Sequence, residues 1–263
     1  MPQQLDLFSV IGKSPDPPSS ALGRHLDSAG LDDASLAAAI PQAGITVAAA
    51  LASEAGRRRL AAAVPALREL CRRLTGIGAD RPVPEQIAAL EALAAIGGAE
   101  ARGAVAWMIA KAVVIGPTLT VALDVAARLG AIVPPQLVAG LLRHDDPMMR
   151  ANACRCARPG PAAIPLLLEL LTDLTRDVRT AAACALGRMG RTEARPVLLE
   201  QLAASPSSEV IDAVAAIADE RCIVLLARTA RVLPGLAEAA LDALDAIGHP
   251  RAEELAAKLR STA

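Results

Sequence analysis

Aromatic residues are almost missing from this 263-residue chain: Trp107 and Phe8 stand alone, and there is no tyrosine. That scarcity argues against a surface that reads nucleic-acid bases by stacking, which needs several rings in a row. Histidine is nearly as rare. His25, His144 and His249 are scattered, no His-Glu pair exists, and no nucleophile, base and orienting acid fall into a catalytic pattern. The five cysteines (71, 154, 156, 184, 222) are odd in number and lack the paired spacing of metal ligands. Long apolar runs are missing too. The most apolar stretch, 103–133, is broken by Lys111, Gly116-Pro117, Asp124 and Arg128, so it does not read as a bilayer span. The polar, acidic opening residues do not read as a secretory signal. With a net charge of -1 there is no global pull toward nucleic acid. These absences predict a soluble, cytoplasmic, non-enzymatic protein without metal or cofactor.

What is abundant is alanine and leucine, the strongest helix formers, so the chain is expected to be all-α. Helical stretches ending in glycine recur from about residue 84. The first two close at Gly97 and Gly130, a weaker copy at Gly160, and further copies at Gly190 and Gly248. Successive spacings are 33, 30, 30 and then 58, the last spanning two units. Glycine suits the left-handed residue that closes a helix, and prolines 117, 134, 147, 161, 196, 206, 234 and 250 stand where the next helices begin. A period near 30 with two helices per unit predicts an α-α superhelix, because one helix pair cannot bury its apolar face alone.

The segment Asp177-Val178-Arg179, followed by Ala181-Ala182, Ala185-Leu186-Gly187 and Gly190, resembles the HEAT repeat in its short bacterial, PBS-lyase-like form. The resemblance spans roughly 84–263 and implies a solenoid of paired antiparallel helices. Residues 21–83 read as a divergent helical cap, and residues 1–20 as an N-terminal tail. Within that tail Gln4-Leu5-Asp6-Leu7-Phe8 resembles the short motif by which bacterial replication and repair proteins dock on the DNA polymerase III beta sliding clamp. The resemblance implies that Gln4 supplies amide hydrogen bonds while Leu5, Leu7 and Phe8 fill an apolar groove. Residues 9–20 behind it, with three prolines, read as a linker.

A second candidate surface is cationic. Residues 51–82 carry seven arginines against three acids. Arg57, Arg58, Arg59, Arg68, Arg72 and Arg73 are expected on one helix over about 54–74, either as a solvated face or as a phosphate-binding stripe. Trp107 is expected in the core. Cys154 and Cys184 are one repeat apart, with Val214 and Leu244 at the next two steps, which predicts small apolar core positions rather than ligands. In His144-Asp145-Asp146-Pro147 an aspartate should cap the helix that Pro147 opens.

The expected function is an interaction scaffold, monomeric, tethered to the clamp and holding a further protein cargo. The alternatives are a direct DNA binder using Arg57–Arg73 or, by repeat type alone, a relative of HEAT-like DNA glycosylases or bilin lyases. The glycosylases line their cleft with several aromatic residues, a set this chain lacks.

Overall fold

A proline at the first or second position, or an aspartate or serine cap, opens most of the helices, as the punctuation predicts. The computed structural model describes residues 30–262. The clamp-like motif Gln4–Phe8, the linker behind it and His25 lie outside the described residues. The chain begins with α1 (Asp33–Ala39), α2 (Ile45–Arg57) and α3 (Val64–Arg73). Next come α4 (Pro84–Ile96), α5 (Gly98–Ala110), α6 (Gly116–Leu129) and α7 (Pro135–Leu141). The middle holds α8 (Pro147–Cys156), α9 (Ala163–Leu170), α10 (Arg176–Arg188) and α11 (Arg195–Ala204). It finishes with α12 (Ser208–Ala215), α13 (Glu220–Val232), α14 (Ala237–Ala246) and α15 (Pro250–Thr262). Among the described residues there is no strand, and no helix is long and apolar enough to cross a membrane.

The helices form two layers. The even-numbered helices α2 to α14 stack side by side in order, and odd-numbered helices pack behind them. This is an α-α superhelix, and one continuous apolar cluster runs from Leu36 to Ala256. The residues before 84 therefore extend the same stack. Their seam is close: a Cβ on Gly56 of α2 would meet the Ala92 backbone of α4 at 2.7 Å. A second close seam lies at Gly187 of α10, where a Cβ would meet the Ala213 carbonyl of α12 at 2.7 Å. Helix α10 is buried continuously from Ala181 to Gly187 because neighbours cover it on all sides.

Polar ties register the stack where small side chains cannot. Gln86, fully buried, donates to the carbonyls of Cys71 (3.2 Å) and Val113 (3.2 Å), binding the ends of α3 and α5 to α4. Asn152 donates to the Thr120 carbonyl of α6 at 2.9 Å. Arg150 on α8 makes a fork with Asp173, ahead of α10, at 2.9 and 3.0 Å. The same guanidinium caps the carbonyls of His144 and Asp145. Its counterpart one repeat on, Arg179 of α10, caps the carbonyls of Asp173 and Leu174.

Glycines 97, 130, 190 and 248 all have positive φ, as expected of helix closures. Gly160 does not. Helix α8 stops at Cys156, because Pro159 forces Arg158 out of the helical region. Four helices close by the same 6→1 bond, Leu60 to Ala55, Val113 to Met108, Ala131 to Ala126 and Arg191 to Leu186. Two of them place a non-glycine residue, Arg59 or Ala112, in the left-handed position at φ 50.

Candidate functional site

The expected single helix over 54–74 is two helices. Pro65 cannot sit inside a continuous helix, since it lacks an amide proton and its ring clashes one turn back. Helix α2 ends at Arg57, Arg59 turns left-handed, and α3 restarts at Val64. The six arginines therefore do not share one helix face. Arg57 and Arg58 both grip Glu54 on α2, Arg57 through a two-point contact at 2.7 and 2.8 Å and Arg58 at 2.6 Å. The two guanidiniums hold the Glu54 carboxyl down from its ordinary 4.5 to about 2. Arg72 forks onto Glu69 at 2.6 Å, and Arg73 caps the carbonyl of Pro41. Arg68 lies 4.8 Å above the ring of Trp107. Trp107 is thus half-buried, with a cation on its outer face, rather than a full core residue.

All five cysteines are buried. Cys154, Cys184, Val214 and Leu244 occupy the predicted core register and are at most 1% exposed. Burial pushes the thiols of Cys71, Cys154, Cys156 and Cys184 up to about 12, so they stay protonated at neutral pH. Among the described residues no group of three His, Cys, Asp or Glu side chains is placed to hold a metal ion. Asp146 caps α8 by accepting from the Met148 amide at 2.9 Å, as its position before Pro147 predicts.

The sequence did not point to the site that the superhelix assembles. A groove of about 780 Å³ crosses α6, α8, α10 and the start of α12. The groove touches four consecutive even helices and so lies on that layer. Its walls carry Asp124, Arg128, Arg155, Arg158, Arg188, Glu209 and Asp212. Glu209, in the first turn of α12, accepts from Arg188 of α10 at 3.1 Å and faces Arg155 of α8 at 3.6 Å. Arg155 is steadied from below by Asn152 at 2.7 Å. Arg128 spans Glu91 of α4 at 2.8 Å and Asp124 at 3.0 Å, and Arg158 is tethered to the Gly130 carbonyl at 3.0 Å. The thiol on this wall, Cys156, donates to the Leu123 carbonyl. One signal was visible in the sequence: Arg158 and Arg188 each stand four residues after the core cysteine of their helix.

The chemistry that such a surface can perform is recognition. It offers ion pairs that a ligand can exchange and guanidiniums held in place by backbone and amide contacts. Residues 134–218 match the HEAT repeats family. That span covers the three helix pairs α7–α8, α9–α10 and α11–α12, which supply most of the groove walls. The match and the all-helical superhelix together support a HEAT-repeat solenoid, an architecture suited to protein interaction. No curated protein matches the chain.

Proposed function

We propose that this protein is a non-enzymatic adaptor, recruited to the DNA polymerase III beta sliding clamp through Gln4–Phe8, whose solenoid engages a further protein partner in replication or repair. The observation that carries the recruitment half is the complete five-position match, placed 25 residues ahead of the first residue of α1. The HEAT repeats over 134–218 support the scaffold half. Tethering of this kind raises the local concentration of whatever the solenoid holds, without any new contact between cargo and clamp. Leu7 and Phe8 are the apolar anchors, each contributing about 2 kcal/mol when desolvated in a groove.

Titrating purified clamp with the full chain tests recruitment. The Leu7→Ala/Phe8→Ala variant should bind at least ~100-fold more weakly, the loss of two such anchors. Undiminished binding by that variant would dismiss the motif.

Direct DNA binding through Arg57, Arg58, Arg59, Arg68, Arg72 and Arg73 is the weaker reading. Phosphates would have to displace Glu54 and Glu69 from three of the six guanidiniums. Such binding would weaken steeply with salt.

A further inference from the structure

The odd-numbered layer ends in a groove of about 610 Å³ between α13 and α15, where two arginines of α13 stand without a partner among the described residues. Its floor is apolar: Val224 and Ala227 from α13, Leu255 and Leu259 from α15. Val224 is 45% exposed, unusual for a valine in mid-helix. The rim is four cations, Arg228 and Arg231 on α13 and Arg251 and Lys258 on α15, with no carboxylate among the lining residues.

Helical spacing explains the arrangement. Positions 224, 227, 228 and 231 fall at i, i+3, i+4 and i+7, one stripe of α13. Positions 251, 255, 258 and 259 make the facing stripe on α15. Arg251 reaches Glu220 only at 3.9 Å. Arg228 and Arg231 make no hydrogen bond or ion pair with any described residue. The surroundings make this unexpected, since residues 161–263 hold 11 basic against 14 acidic residues. Four of those 11 basic residues line this one groove, whose lining residues include no carboxylate.

Two neighbouring arginines without partners, Arg228 and Arg231, beside exposed apolar surface are unfavourable in the free protein and are relieved by a ligand of opposite pattern. We propose that this groove docks an acidic amphipathic helix of a partner protein. Its apolar side chains at i, i+3 or i+4, and i+7 would rest on Val224, Ala227, Leu255 and Leu259, and its carboxylates would meet Arg228 and Arg231. The apolar floor favours a helix over a nucleic-acid backbone, which has nothing to bury there, and no aromatic side chain lines the groove for stacking. The inference deepens the adaptor reading by naming the chemistry of the cargo, and rests on that reading for the cargo being a protein.

The test uses the full chain and a fluorescent probe peptide of about four helical turns, with leucines at the i, i+3 and i+7 positions and glutamates elsewhere. Anisotropy should report saturable, salt-sensitive binding that Arg228→Glu/Arg231→Glu weakens at least ~10-fold. A peptide with the glutamates changed to glutamines should bind the native chain no better than the variant binds the original. Both substituted positions are exposed and unpartnered, so the variant should keep the native circular dichroism and melting curve, and Val224→Asn gives an independent, uncharged check with a smaller loss. Absence of probe binding, or binding indifferent to Arg228→Glu/Arg231→Glu, overturns the proposal. So does short duplex DNA competing through the same arginines while the probe does not bind. Concentration-dependent self-association abolished by the same variant would instead assign the groove to a second copy of the chain. Clamp binding in the same preparation is read separately, through Leu7 and Phe8, so either result can fail while the other stands.

Discussion

The groove on the even layer over α6–α12 and the groove on the odd layer over α13–α15 are built from the same paired helices, yet they differ in how their charges are satisfied. In the even-layer groove Glu209 draws together Arg155 and Arg188 from two other helices, while Glu91 and Asp124 hold Arg128. In the odd-layer groove four cations stand over an apolar floor, and two of them, Arg228 and Arg231, have no carboxylate partner among the described residues. Solenoid shape alone therefore does not mark a binding face. What marks it is whether the side chains at a given helical register are satisfied by the next repeat or left to a ligand.

The largest way to break that contrast is at the seam that lets α8, α10 and α12 approach. Gly187→Leu cannot fit against the Ala213 carbonyl and the Leu198 side chain. It should cost about 3 kcal/mol in urea unfolding and separate Arg155 from Glu209, opening the matched groove.

Asp173→Ala should cost about 2 kcal/mol by leaving Arg150, whose side chain is 17% exposed, without its carboxylate. This pair also sets a pH dependence. Burial works against ionisation of Asp173, but the Arg150 guanidinium and the Thr175 amide outweigh it and hold the carboxyl below its ordinary 3.8. A depressed folded value means that the contribution is present above the unfolded value and is lost as pH falls through the folded one. Acid unfolding of the native chain should therefore steepen below about pH 4, and Asp173→Ala should remove that part of the slope.

The smallest expected effect on stability sharpens the comparison most. Glu209→Gln leaves Arg155 and Arg188 without their shared carboxylate and should shift unfolding by only about 0.5 kcal/mol, since the pair is partly exposed. It frees two arginines in the even-layer groove, so an acidic helical probe should gain a second, weaker site, visible as a changed stoichiometry in calorimetry.

How much of this was legible in the sequence depended on distance along the chain. Helix closures at Gly97, Gly130, Gly190 and Gly248 could be read because a left-handed residue next to a periodic apolar stretch is a local signal. The closures at Arg59 and Ala112 could not, since nothing in those residue types announces a positive φ. The break between α2 and α3 was announced by Pro65, and the run of arginines around it drew attention to charge instead. Core register was legible in Cys154, Cys184, Val214 and Leu244 because the repeat fixes it at a constant step. Neither groove was. Arg155 and Glu209 are 54 residues apart, and only the stacking of α8, α10 and α12 brings them together. Val224 and Leu255 read as ordinary helix positions until the packing of α13 on α15 shows which flank is left open.

An adaptor must hold two partners at once through separate surfaces. Sedimentation velocity of a mixture of the full chain, purified beta clamp and labelled acidic helix measures that directly. The account predicts a single complex containing all three, from which Leu7→Ala/Phe8→Ala releases only the clamp and Arg228→Glu/Arg231→Glu releases only the helix. Mutual exclusion of clamp and helix, or a complex that survives both double variants, would contradict it.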